Sequence, residues 1–139
     1  MPDARGVFVD TGPLVALFDP SDRVHASCRV ALGRLRQARL VTSLAVLTEA
    51  TFLLAFSTRA QCALLRFVAS GAVEVGETAA EDAEALAALM DRYRDLPMDF
   101  ADATLVWLAP KLRAQTVLTL DRRGFGVYRN GRRTFRVLP

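Results

Sequence analysis

A chain of 139 residues is long enough to bury one core and too short for two ordinary domains, so residues 1–139 are expected to form one domain. Hydrophobic residues make up 52% of it, yet no apolar run approaches the roughly 18 residues of a membrane span, and the start, MPDARGVFVD, lacks the form of a secretory signal, so a cytoplasmic protein is expected. The single histidine, His25, reads as a solvated helix position, and Cys28 and Cys62 stand alone, which leaves histidine chemistry, zinc and a disulfide without support.

GVFVD is a short apolar run ending at Asp10, and TGPLVALF follows it with Pro13 suited to a first helical turn, so a strand leads into a helix. PSDRVHASCRVALGRLRQA offers Ser21 or Asp22 as N-cap. It puts Val24, Cys28, Ala31, Leu32 and Leu35 on one face and its arginines mostly opposite. RLVTS reads as a buried strand, after which Ser43 can cap LAVLTEATFLLAF. STRAQCALLRFVAS continues as a helix from Thr58 to near Gly71, and AVEVG is a third strand. TAAEDAEALAALMDRYRD has Thr78 as cap, an acidic first turn suited to the helix dipole, and Leu86, Leu89, Met90 and Tyr93 toward the core. After a helix opened by PMDFADATLVWLA come QTVLTLD, a strand ending at Asp121, a turn-rich loop RRGFGVYRNG, and RRTFRVLP as a fifth strand. This alternation predicts an α/β protein with three layers, α/β/α, around a central, mostly parallel five-stranded sheet.

Four acids fall where such a sheet binds ligands, outside the carboxyl ends of its strands. Asp10 and Asp121 end strands, Asp102 opens a helix, and Glu49 lies one and a half turns into the helix after the second strand. Asp99 and Asp102, three apart, share a helical face; either can be a cap, and capping explains Asp99 better. Glu49 sits in a helix that is apolar nearly all round, which predicts burial, and a buried glutamate needs a cation. No lysine or arginine lies between Arg39 and Arg59, so a distant arginine or a metal ion must serve. Several carboxylates in one pocket repel one another, and a divalent ion resolves that repulsion; oxygen ligands favour magnesium or manganese and phosphoryl transfer.

The fragments VFVDTGPLVALFD, LTEATFLL, MDFADATLVWLA and VLTLDRRGF, in this order and over nearly the whole chain, resemble the PIN-domain nucleases. The resemblance implies a PIN-like fold and assigns Asp10, Glu49, Asp102 and Asp121 to the catalytic metal site, with Asp99 accessory and Thr11 and Thr119 orienting the first and last acids. It further implies magnesium- or manganese-dependent cleavage of RNA, commonly as the toxin of a VapBC-type pair that forms homodimers and is inhibited by a small antitoxin. A PIN-like domain for RNA processing or binding alone is the alternative. An aspartyl-phosphate phosphatase fits poorly, because the position two after Asp10 is Gly12 and the only lysine, Lys111, falls late in a helix. A receiver domain expects adjacent acids after its first strand and a lysine after its last, and neither is present.

Charge is distributed unevenly. From Glu74 to Asp102 nine acids accompany two arginines, whereas from Asp121 to Pro139 six arginines accompany one acid. Arg122 and Arg123, next to Asp121, are candidates for holding an RNA backbone, with solubility as the plain alternative. Phe125 is expected to pack; Tyr128 is open between packing and stacking on bases.

Overall fold

Strand β1 (Gly6–Val9) runs directly into helix α1 (Thr11–Phe18), and α2 (His25–Arg34) leads back to β2 (Arg39–Ser43). Helices α3 (Leu44–Leu53) and α4 (Thr58–Ala69) precede β3 (Glu74–Gly76); α5 (Ala83–Arg92), entered through one 3-10 turn, and α6 (Phe100–Lys111) precede β4 (Thr116–Leu118). The chain closes with α7 (Arg122–Phe125), β5 (Arg129–Asn130), β6 (Arg133–Thr134) and β7 (Arg136–Leu138). This computed structural model describes residues 5–139.

The central sheet has five strands in the order β3-β2-β1-β4-β7, and every pairing in it is parallel. All four residues of β1 are buried, as expected of a central strand covered by helices on both faces. Helix α1 packs on α2, α3 and α4, and α5 on α6. Phe8, Leu14, Val41, Leu105 and Val117 are fully buried between these layers. The chain steps outward from β1 to β2 to β3, then returns to place β4 on the other side of β1. The strand order therefore switches between β1 and β4, and the crevice at their carboxyl ends is where sheets of this kind bind ligands.

Five local expectations need correction. Helix α2 starts at His25, because Asp19 and Asp22 spend their carboxylates on the Ser21 and Val24 amides in tight turns before it. His25 is half-buried, and its Nδ1 donates to the Ala16 carbonyl at 2.6 Å, which ties α2 to α1. Thr78 caps nothing; the turn before α5 is held by Asp82, which accepts from the Ala79 amide at 2.8 Å. The segment after Asp121 is ordered into α7 and a β5–β6 hairpin, whose turn uses Gly131 at φ +62°. Helix α3 is not buried all round: Leu44 is 69% and Phe52 77% exposed, because an apolar surface facing outward has the same composition as a core.

Candidate functional site

Asp10, Glu49, Asp99, Asp102 and Asp121 line one cavity of about 350 Å3, together with Thr11, Gly12, Leu53 and Leu120. The fold brings them there from four separate segments at the switch between β1 and β4. Asp10 follows β1, and its backbone amide continues the sheet by donating to the Leu118 carbonyl at 2.9 Å. Asp121 caps α7 by accepting the Gly124 amide at 3.0 Å. Asp99 caps α6, its Oδ1 accepting the Asp102 amide at 2.8 Å. That settles which of the two acids is the cap and leaves the Asp102 carboxylate for other contacts.

Hydroxyl groups hold the acids. Thr119 donates to Asp10 Oδ2 at 2.7 Å and accepts the Asp121 amide at 2.9 Å. Tyr128 donates from its phenol to Asp102 Oδ2 at 3.1 Å. Ser43 caps α3 through the Val46 amide and lies 2.8 Å from the Thr104 hydroxyl, so the helix bearing Glu49 is tied to the helix bearing Asp102. Thr104 itself donates to the Ala101 carbonyl, which leaves Ser43 as the donor between them. Thr11, expected to orient the first acid, acts there through its backbone amide; its hydroxyl is buried and has no hydrogen-bond partner among the described residues.

Electrostatics oppose ionisation. Burial raises the Asp10 carboxyl above its ordinary value, although Thr119 and the Thr11 amide offset part of this. Asp102 is pushed up to about 7, first by burial and then by Asp10 and Asp99, with the Tyr128 hydrogen bond acting in the opposite direction. Glu49, half-buried, is raised by burial and by Asp99 and Asp10. Among the described residues Glu49 makes no ion pair, so no arginine neutralises it.

An all-oxygen donor set, protons retained first through burial and then through repulsion, and a buried hydroxyl without a partner among the described residues are features that a hard divalent cation satisfies. The acids are not drawn into a tight cage, since among the described residues no three acidic, histidine or cysteine side chains form a ready ligand cluster.

Tyr128 is the functional residue that sequence reasoning left undecided. It is 1% exposed and stacks edge-on against Tyr93 and Phe125, so it is not available to nucleic-acid bases. Phe125 is fully buried, as expected. Gly124 was also missed: a Cβ there would lie 2.4 Å from Asp121 Oδ2 and 2.9 Å from the Tyr128 hydroxyl. Arg122 and Arg123 are exposed beside Asp121, with Arg122 donating to the Pro139 carbonyl.

Residues 7–130 match the PIN domain family. Ribonuclease VapC26 of Mycobacterium tuberculosis is 36% identical over 136 residues, covering 96% of this chain and all of that protein. The crystal structure of Mycobacterium tuberculosis VapC20, described as a Sarcin-Ricin loop cleaving toxin, superposes with a TM-score of 0.76 at 24% identity, over 89% of this chain and 97% of that one. VapBC2 from Rickettsia felis, solved bound to a DNA fragment from their promoter, gives 0.68 at 17% identity, over 96% of this chain and 97% of that one. At these identities the two structures speak for the fold alone.

Proposed function

Since the chain belongs to the PIN domain family, we propose that it is a magnesium- or manganese-dependent endoribonuclease and the toxin of a VapBC-type pair, working in the cytoplasm as a single domain. The observation that carries this reading is the cavity shared by Asp10, Glu49, Asp102 and Asp121. These four would be the metal ligands and catalytic residues, with Asp99 accessory. The 36% identity to a protein named a ribonuclease supports RNA as the substrate.

A divalent cation bound there would supply Lewis-acid polarisation of a phosphate and an activated water. The rest is the work of the chain itself. Thr119 ties the Asp10 carboxylate to the Asp121 backbone, and Tyr128 fixes the Asp102 rotamer. Asp102, with its proton held to about 7, couples ligation to deprotonation, so cation affinity rises with pH near neutrality. Arg122 and Arg123 stand where an RNA backbone entering the cavity would pass.

Leu53 and Leu120 border the acids, and Leu44 and Phe52 on α3, with Phe56 beyond its end, continue an exposed apolar strip. Such a strip suits protein partners, here a small antitoxin reaching the acids and a second copy of the chain. Among the described residues no helix is long and apolar enough to cross a membrane.

The test is incubation of a folded RNA pool with the purified protein in magnesium, in manganese and in chelator. Cleavage confined to the metal-containing reactions is expected. RNA left intact in all three contradicts the proposal.

A further inference from the structure

The six arginines that follow Asp121 do not form one patch. Arg122 and Arg123 stay beside the acids, whereas Arg132 and Arg133 are carried to the other end of the sheet, where with Arg5, Arg113, Gln115 and Asn130 they line a cavity of about 430 Å3. Arg5 precedes β1 and Gln115 precedes β4, while Asp10 and Asp121 follow those strands. The two cavities are thus separated by at least the length of β1, about 13 Å at ~3.3 Å per residue.

We propose that this arginine cavity is a second RNA site, holding backbone phosphates of a folded RNA away from the acids; the inference rests on the ribonuclease reading above.

Three observations carry it. First, no acid lines the cavity among the described residues, and none of the ion pairs there involves Arg5, Arg132 or Arg133. Arg133 Nη1 donates only to the neutral Gln115 Oε1, at 3.4 Å. The guanidinium groups of Arg5, Arg132 and Arg133, gathered with no acid facing them among the described residues, repel, and a phosphate relieves that repulsion while matching the fork geometry.

Second, the β5–β6 hairpin presents these side chains from a fixed base. Gly131 at φ +62° makes its turn, Asn130 pairs with Arg133, and the Asn130 side chain donates to the Ala114 carbonyl at 3.3 Å. Arg129, in the same hairpin, is spent on the carbonyls of Gly126, Val127 and Tyr128. The neighbouring arginines are not used in that way.

Third, the lining contains no large apolar side chain. Pro110 is the one apolar side chain there among the described residues, so a protein partner would find little to bury, whereas a phosphate backbone needs charge and donors.

The experiment measures binding of a folded RNA across a salt series, in chelator, to the wild type and to Arg132→Ala/Arg133→Ala. A control, Arg29→Ala/Arg36→Ala, removes the same charge from exposed positions outside the cavity. The log–log salt slope should flatten by about one for each phosphate no longer held, hence about two for the cavity variant, with little change in the control. Arg132→Lys/Arg133→Lys should restore most of the slope. Equal effects in cavity variant and control overturn the site, as does an unchanged slope. Weakened binding of duplex DNA or of an acidic peptide with unchanged RNA binding also overturns it. Cleavage in magnesium is scored separately: a wild type that binds RNA through the cavity but cuts none fails the ribonuclease reading and not the site.

Discussion

Thr119 donates to Asp10 Oδ2 at 2.7 Å across neighbouring parallel strands. Because the same Oγ1 also accepts the Asp121 amide, one side chain sets the spacing between the acids that follow β1 and β4. The cavity is thereby referenced to the register of the sheet.

Thr119→Val removes both hydrogen bonds while keeping shape. It should cost about 1–2 kcal/mol of stability by thermal melting and about 10–100-fold in manganese affinity by calorimetric titration. Thr119→Ser should retain both, and equal losses in the two variants would show that packing, not the hydroxyl, matters.

Tyr128→Phe keeps the aromatic cluster and deletes the donor to Asp102. Because that hydrogen bond holds the Asp102 pKa down, its loss should push the carboxyl further up and move the midpoint of manganese binding to higher pH. The melting temperature should change little. A shift to lower pH would refute the role.

Gly124→Ala places a methyl group 2.4 Å from Asp121 Oδ2. The carboxylate has to move, so cleavage should fall by at least about tenfold, in line with losses on disturbing metal-site support. Gly33→Ala, where nothing lies within 4 Å, is the matched control and should be neutral.

Without metal, stability should fall as pH rises from about 4 to about 7. Asp102 holds its proton to about 7 when folded against 3.8 as its ordinary value, so across that window the unfolded chain binds fewer protons. One such group accounts for at most about 4 kcal/mol. Asp10 and Glu49, raised by the same cause, act with the same sign. Melting in chelator across this range checks the point, and added magnesium should flatten the slope by binding the folded state. A melting temperature that rises with pH in chelator would contradict it.

The alternation of strands and helices and the positions of the acids were readable because each acid abuts a local signal: Asp10 and Asp121 end or follow apolar runs, and Asp99 starts a helix. Tyr128 had no such signal. It meets Asp102 only after α6, β4 and α7 fold the chain back, and local spacing carries no trace of that. Helix α3 misled for a different reason, since Leu44 and Phe52 are as apolar as core residues yet face outward. Hydropathy records the wish to be covered, not the identity of the cover. The arginines behaved likewise: one run in sequence is divided by a hairpin between two ends of the sheet.

The most direct measurement is metal-dependent RNA cleavage by Asp10→Asn, Glu49→Gln, Asp102→Asn and Asp121→Asn, with folding checked by circular dichroism. Each substitution keeps shape and replaces one carboxyl group of the shared cavity with a neutral amide. Each is expected to keep the wild-type fold and lose about two orders of magnitude or more in cleavage rate, with Asp99→Asn losing less. Wild-type cleavage in the four folded variants would show that the acids lining this cavity are not the catalytic centre.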